Sequence, residues 1–89
     1  MNERGFSICR TSNGKLVRGK SVSGAAHSVS IPNNCPAGSR RIGVSHTHPS
    51  GGIRLSDQDK AAARKHGMSV VCVETKERTK CYRLRRSNG

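Results

Sequence analysis

The sequence predicts a single α/β domain built on one mixed β-sheet with one main helix. Two observations predict it. Apolar stretches of strand length recur between turn residues, and one run of helix formers, Lys60 to Lys65, follows a serine that can cap it. A chain of 89 residues forms one hydrophobic core, so the domain is expected to span 1–89, with a basic tail at 83–89.

The first half of the chain is predicted to be mostly strand. Gly5 to Cys9 is an apolar run, and the turn residues Thr11 to Gly14 join it to a second strand, Lys15 to Ser23. This pair is typical of a hairpin. Ala26 to Ile31 alternates apolar and polar residues and predicts a further short strand, and the proline-containing stretch 32–38 predicts a loop.

The second half is predicted to run from strand to helix and back to strand. Arg41 to His46 is the first of these strands. Ser56 is the expected N-cap of the helix, and Gly67 is the expected residue just past its end. Met68 to Val73 is continuously apolar, which indicates a strand inside the sheet, and Thr79 to Leu84 completes a final hairpin.

Two histidines near the middle of the chain have the spacing of metal ligands. On an extended segment His46 and His48 point to the same face, and Pro49 favours extended geometry at His48. Asp59 lies where a helix would bring a carboxylate back to them. Two imidazoles and one carboxylate leave a fourth position open for water, which is typical of catalytic zinc. An ordinary helix cap made by Ser56 and Asp59 is the alternative interpretation.

A zinc-activated water also needs a general base, and the chain offers few carboxylates for that role. Asp57 and Asp59 belong to the motif itself, and Glu74 and Glu77 fall late in a predicted hairpin. Glu3 precedes the first predicted strand, so it is the candidate base. An exposed terminal residue without a catalytic role is the alternative interpretation of this glutamate.

Together these residues resemble a known family. Glu3 before a glycine-led apolar strand, the string His46-Thr47-His48-Pro49, six residues, Ser56, two residues and Asp59 resemble the JAMM (MPN+) zinc metalloprotease domain over roughly residues 2–82. The resemblance implies a cytidine-deaminase-like mixed sheet whose main helix follows the His-x-His-Pro loop. The family's helix before the glutamate strand is absent here, so packing on one face of the sheet is expected to differ.

By this resemblance, His46, His48 and Asp59 would bind Zn²⁺, Glu3 would move the proton, and Ser56 would help to hold the water and the oxyanion. The implied function is zinc-dependent hydrolysis of a peptide or isopeptide bond at the C-terminus of a ubiquitin-like or other small protein. The RadC-like branch shares the His-x-His-Pro-Ser-Gly string found at 46–51, so a nucleic-acid-associated protein is the alternative. A non-catalytic scaffold is disfavoured, because such relatives usually lack these ligands.

The charge of the chain is not explained by the family. Seventeen Lys and Arg against five Asp and Glu give a net charge of +12. Such a density is typical of proteins that bind nucleic acid or another polyanion, and a solvated basic surface is the ordinary alternative. Because Phe6 and Tyr82 are the only aromatic residues, recognition by stacking on bases is disfavoured. An acidic protein substrate would be attracted by the same field.

Composition also bears on the compartment. No stretch reaches the length of a membrane span and no signal peptide is recognised, so a soluble, cytoplasmic protein without membrane contact is expected. The four cysteines are too widely spaced for a Cys-x-x-Cys metal site. In the cytoplasm they are expected to be reduced and buried, with a contact between Cys72 and Cys81 across two strands and with a disulfide as the exception.

Overall fold

A computed structural model describes residues 3–24, 31–48 and 52–84 of the chain. Over these ranges it contains six strands and one helix: β1 (Arg4–Thr11), β2 (Leu16–Arg18), β3 (Val22–Ser23), β4 (Ser39–Thr47), α1 (Asp57–Lys65), β5 (Val70–Glu74) and β6 (Thr79–Arg83). The prediction of a mixed sheet with one helix is confirmed. The strand predicted at Ala26 to Ile31 lies outside the described residues except for Ile31, as do residues 85–89 of the basic tail.

The strands form one sheet in the order β2-β1-β4-β5-β6, and β3 also pairs with β1. β4 and β5 are parallel, because α1 carries the chain back between them. All other pairs are antiparallel. The continuously apolar strand β5 therefore lies inside the sheet, between β4 and β6, as its sequence predicts.

One face of the sheet, which we call the covered face, packs against α1 and the segment that begins at Ile31. Val44, Val71 and Val73 are fully buried there, and Ala63 of α1 packs onto them. The hydroxyl of Ser7 donates a 2.8 Å hydrogen bond to the carbonyl of Pro32, which fastens the segment to β1. The hydrophobic core consists of this face and its cover, completed by Ile31, Leu55, Met68 and Leu84.

The opposite face, which we call the open face, has no helix over it within the described residues. Side chains alternate between the two faces along a strand, so the residues between the buried ones point to the open face. Phe6 and Ile8 of β1 lie there, opposite Ser45 and Gly43 of β4, and they are half-buried.

The second predicted strand is interrupted. Instead of one strand over Lys15 to Ser23, the structure has β2 and β3 with residues 19–21 between them. Gly19 keeps a hydrogen bond from its N–H to the carbonyl of Ser7, but the amide of Asn34 donates to the carbonyl of Lys20 at 3.1 Å. A side chain on Gly19 would collide with Asn34. The loop residue therefore occupies the position that a continuous strand would need.

The prediction of reduced cysteines is wrong. Cys9 is bonded to Cys35 and Cys72 to Cys81, and no cysteine of the chain is free. Cys72 and Cys81 are direct partners in the β5–β6 register, so the predicted contact across two strands is made as a covalent bond. Cys9 is fully buried, and its disulfide ties the 31–36 segment to β1.

Within the described ranges, no helix has the length and apolar character needed to cross a membrane.

Gly43 is required by the close approach of β4 and β5. An added Cβ would lie 2.1 Å from the carbonyl oxygen of Val70, which is backbone and cannot rotate away. We expect Gly43→Ala to lower the free energy of unfolding by about 3 kcal/mol, measured by urea denaturation. Gly52→Ala is the matched control, because nothing lies within 4 Å of its added Cβ. Equal losses in the two variants would contradict the close approach.

The two disulfides are expected to contribute unequally to stability. Their partners are separated by 26 residues for Cys9–Cys35 and by 9 for Cys72–Cys81. Loop-closure entropy then gives about 3.6 and about 2.7 kcal/mol. Replacing both members of each pair by alanine should therefore destabilise the protein more for the first pair in denaturant titrations. A wild-type unfolding midpoint that does not move when reductant is added would show that the bonds do not form.

Candidate functional site

β4 brings the two predicted histidine ligands together at its C-terminal end. The ring nitrogens Nε2 of His46 and His48 are 2.9 Å apart, with ring centroids at 4.7 Å. His46 is 3% exposed on the covered face. His48 contacts the carbonyl oxygen of Gly52 through Nδ1 at 2.7 Å, and its backbone N–H donates to the carbonyl of Glu74 at 2.9 Å. The predicted convergence of the two imidazoles is confirmed.

Ser56 and Asp59 form the predicted helix cap. Ser56 has extended backbone geometry (φ −69°, ψ 156°), and its side chain accepts a 3.1 Å hydrogen bond from the N–H of Asp59. Asp57 and Asp59 also place negative charge in the first turn, where the helix dipole favours it. Gly67 has φ +76° just past the helix, and the N–H of Met68 returns to the carbonyl of Ala63.

Glu3 lies at the same end of the sheet as the histidines. Gly5 is the register partner of His46, and the N–H of Arg4 donates to the hydroxyl of Thr47 at 2.8 Å. The antiparallel register thus brings the start of β1 beside the end of β4. The carbonyl of Glu3 accepts a hydrogen bond from the N–H of Gly24. The predicted neighbourhood of Glu3 is therefore present in the backbone.

The predicted zinc-dependent peptidase function is contradicted. Among residues 3–24, 31–48 and 52–84, no three His, Cys, Asp or Glu side chains gather in a group that could hold a metal ion. Catalytic zinc sites in proteins use three protein ligands. Asp59 lies in the first turn of α1 and does not complete a set with His46 and His48.

The contradiction applies to the peptidase function and not to every residue in the motif. Zinc as a cofactor, enzymatic activity, the ligand roles of His46, His48 and Asp59, and the catalytic roles of Glu3 and Ser56 stay predictions based on the resemblance. Pro49 to Gly51, which complete the string shared with the RadC-like branch, lie outside the described residues. That string therefore supports no structural argument.

Sequence reasoning missed a set of arginines that the register places on the open face. Ile8 faces Arg18 on one side and Gly43 on the other, Gly43 faces Val70, and Val70 faces Arg83. This row crosses five strands and carries an arginine at each end. By the same register and alternation, five arginines of the described strands lie on the open face, all exposed: Arg4, Arg10, Arg18, Arg40 and Arg83. The period-two string Arg4, Phe6, Ile8, Arg10 is the signal that could have revealed it.

The arginines of the open face are poorly balanced by negative charge. Arg10 and Arg40 are direct cross-strand partners, and like charges in that position repel each other. The guanidinium carbon of Arg18 lies 4.5 Å from the ring centroid of Phe6, a favourable cation–π distance. Glu74 is the carboxylate that the register puts on this face, at the edge where it pairs with Thr47. Among the described strands, the other charged side chains of this face are the positive arginines.

Comparison with protein-family models, curated proteins and solved structures gives no match. The resemblance to the JAMM domain therefore stays a prediction from the motif residues.

The cap of α1 gives a direct test of the site's local structure. Ser56→Ala removes the acceptor for the N–H of Asp59, so we expect the free energy of unfolding to fall by about 1 kcal/mol. Ser56→Asn is the matched control, because asparagine caps as well as serine and should retain stability. Thermal unfolding of the three proteins measures this. If the alanine and asparagine variants were equally destabilised, the cap would not be the role of Ser56 in folding.

Proposed function

We propose that this domain binds nucleic acid through its phosphate groups, using the arginines of the open face. The single observation that supports it is the placement of five exposed arginines on the one sheet face that no helix covers within the described residues. Guanidinium groups match phosphate geometry with paired hydrogen bonds and remain charged at every relevant pH. The net charge of +12 adds long-range attraction for a polyanion.

The dimensions of the face suit an extended anionic chain. From β2 to β6 is four strand spacings, about 19 Å, and the row from Arg18 to Arg83 crosses that distance. Arg4 and Arg10 lie six residues apart on β1, about 20 Å along the strand. Because arginines lie at both ends of the face, across the strands and along them, the face can contact several phosphates at once. A discrete small anion would not need so wide a distribution.

The binding is expected to be independent of base sequence. Reading base edges requires a helix or a two-stranded ribbon inserted into a groove, and the open face is the broad side of a sheet. The apolar part of the face offers one aromatic ring, Phe6, and Arg18 already stacks on it. Phosphate contacts therefore supply the affinity, and such contacts position a protein without specifying sequence.

The compartment bears on where this binding occurs. Disulfides persist in oxidising compartments and in the cytosol of some hyperthermophiles, and they are rare in other cytosols. The cytoplasmic location expected from the sequence stays a prediction, and the disulfides Cys9–Cys35 and Cys72–Cys81 favour an oxidising environment instead. The proposed binding uses surface charge alone and is compatible with either.

Salt dependence tests the proposal. With five phosphate contacts, the logarithm of affinity should fall with the logarithm of salt concentration at a slope of about −4.5, so affinity for a generic duplex should drop about 500-fold between 50 and 200 mM salt. Fluorescence anisotropy with a labelled duplex measures this. Arg18→Gln and Arg83→Gln should each reduce the slope by about 0.9.

Arg64→Gln is the matched control for these variants. Arg64 is exposed on α1, which packs on the covered face. Its replacement therefore removes the same charge from the side of the sheet opposite the open face. It should leave the slope almost unchanged. Absence of binding at 50 mM salt would refute the proposal, and so would an effect of Arg64→Gln as large as that of Arg18→Gln. Stronger binding to an acidic peptide than to nucleic acid would assign the face to a protein partner instead.

A further inference from the structure

At one corner of the open face, the structure forms a concavity that we infer to be a binding site for a single phosphate group. We call it the corner notch, and its volume is about 450 Å³. The residues that line it include two arginines, two serines and two glycines: Arg10, Ser12, Gly14, Gly38, Ser39 and Arg40. This inference rests on the proposed function, because the phosphate group is taken to be part of a nucleic acid. It adds a defined subsite to a diffuse charged face.

The backbone holds the two arginines of the notch opposite each other. Between Ile8 and Cys9 the β1–β4 register shifts by one residue, from the pair Ile8 and Gly43 to the pair Cys9 and Arg41. Such a bulge re-aims the side chains that follow it. After the shift, Arg10 and Arg40 are direct partners on the open face. Without the extra residue in β4, Arg41 would face Arg10, so the bulge determines which arginine lies on the open face and leaves Arg41 on the covered face.

The walls of the notch are fixed by their own hydrogen bonds. In the β1–β2 turn, the N–H of Gly14 donates to the carbonyl of Thr11, whose hydroxyl accepts from the N–H of Lys15. On the other side, both the N–H and the hydroxyl of Ser39 donate to the carbonyl of Pro36. Gly14 and Gly38 adopt positive φ of 87° and 81°, which lets the chain turn tightly around the opening.

The carboxylates of the chain are at the other end of the sheet or on its other face. Glu3 precedes β1, and Glu74 ends β5 beside Thr47, seven residues and about 23 Å along β4 from Arg40. Asp57 and Asp59 begin α1 over the covered face, and Glu77 lies in the β5–β6 turn. Arg10 and Arg40 are thus cross-strand neighbours without an acidic residue beside them in the register. An anion between them would replace their repulsion with two charge-assisted contacts.

Phosphate is the anion that this chemistry fits best within the proposed function. Paired guanidinium groups offer several donors in fixed planes, which suits the tetrahedral oxygens of phosphate. The hydroxyl of Ser12, which also lines the opening, can add a further donor. Two phosphate groups of a nucleic acid have this chemistry: the diester of its sugar–phosphate backbone and the monoester at its 5′ end. The notch lies at the corner of the β-sheet, where the end of a nucleic-acid strand can reach it.

Inorganic phosphate is the first probe, and its binding to the full chain is monitored by nuclear magnetic resonance. We expect the amide signals of Gly14 and Gly38 and the side-chain signals of Arg10 and Arg40 to shift on titration. Arg10→Gln and Arg40→Gln should each weaken phosphate binding at least tenfold, whereas Arg64→Gln should leave it unchanged. Because these two variants remove a like-charge contact, their melting temperatures should be equal to that of the wild type or higher. If either fails to fold, Arg40→Lys keeps the charge and tests the loss of paired contacts.

Short oligonucleotides with and without a 5′-phosphate then identify the source of the phosphate group. Tighter binding of the 5′-phosphorylated strand, lost in Arg40→Gln, assigns the notch to a terminal monoester. Equal binding of both strands that still depends on Arg40 assigns it to the backbone diester. Shifts elsewhere on the protein, or phosphate binding unaffected by Arg10→Gln and Arg40→Gln, would overturn the notch. Duplex binding that depends on Arg18 and Arg83 would then still support the proposed function. Phosphate binding in the notch without duplex binding would support the notch and refute the proposed function.

Discussion

Burial on one face of the sheet is the constraint from which the rest of this structure follows. Only 31% of the residues are hydrophobic, which is too few to cover both faces of a sheet in a chain of 89. The core is accordingly built from valines on the covered face and from α1 above them. Because the fully buried valines lie on one side, the other side keeps half-buried apolar residues such as Phe6 and Ile8 and exposes its charged side chains. The position of the arginines is thus a consequence of how little apolar material the chain contains.

A core of this size explains why covalent links matter here. Small domains seldom obtain enough stability from apolar burial alone and commonly add disulfides or metals. In this protein the links lie at different depths: Cys9 is fully buried beneath the 31–36 segment, and Cys81 is exposed on the last strand. One bond holds the cover of the core in place, and the other joins the two strands at the edge of the sheet.

Much of the fold could be predicted from sequence because it depends on local patterns. The apolar run Gly5 to Cys9 and the segment Arg41 to His46 located β1 and β4, and Ser56 with Gly67 located both ends of α1. The split between β2 and β3 could not be predicted, because it depends on Asn34, a residue that is distant in sequence. The disulfides were missed since an assumed compartment, rather than geometry, decided the redox state.

The candidate site also has one part that the sequence predicts and another part that it does not. The convergence of His46 and His48 follows from spacing on a single strand and was predicted correctly. A third ligand depends on how a helix sits relative to that strand, which spacing does not determine. The arginine face depends on the register of five strands and on a one-residue bulge, and neither can be derived from composition.

The outer strands of the sheet gain a second benefit from their charge. β2 and β6 end the strand order, so each has backbone groups along its outer side that another extended chain could pair with. β2 ends in Arg18, and β6 carries Lys80 and Arg83 within five residues. Two copies approaching edge to edge would bring these cations together before any backbone pairing could form. The same charge that is proposed to attract phosphate thus opposes self-association, and a polyanion that neutralised it would remove this protection against aggregation.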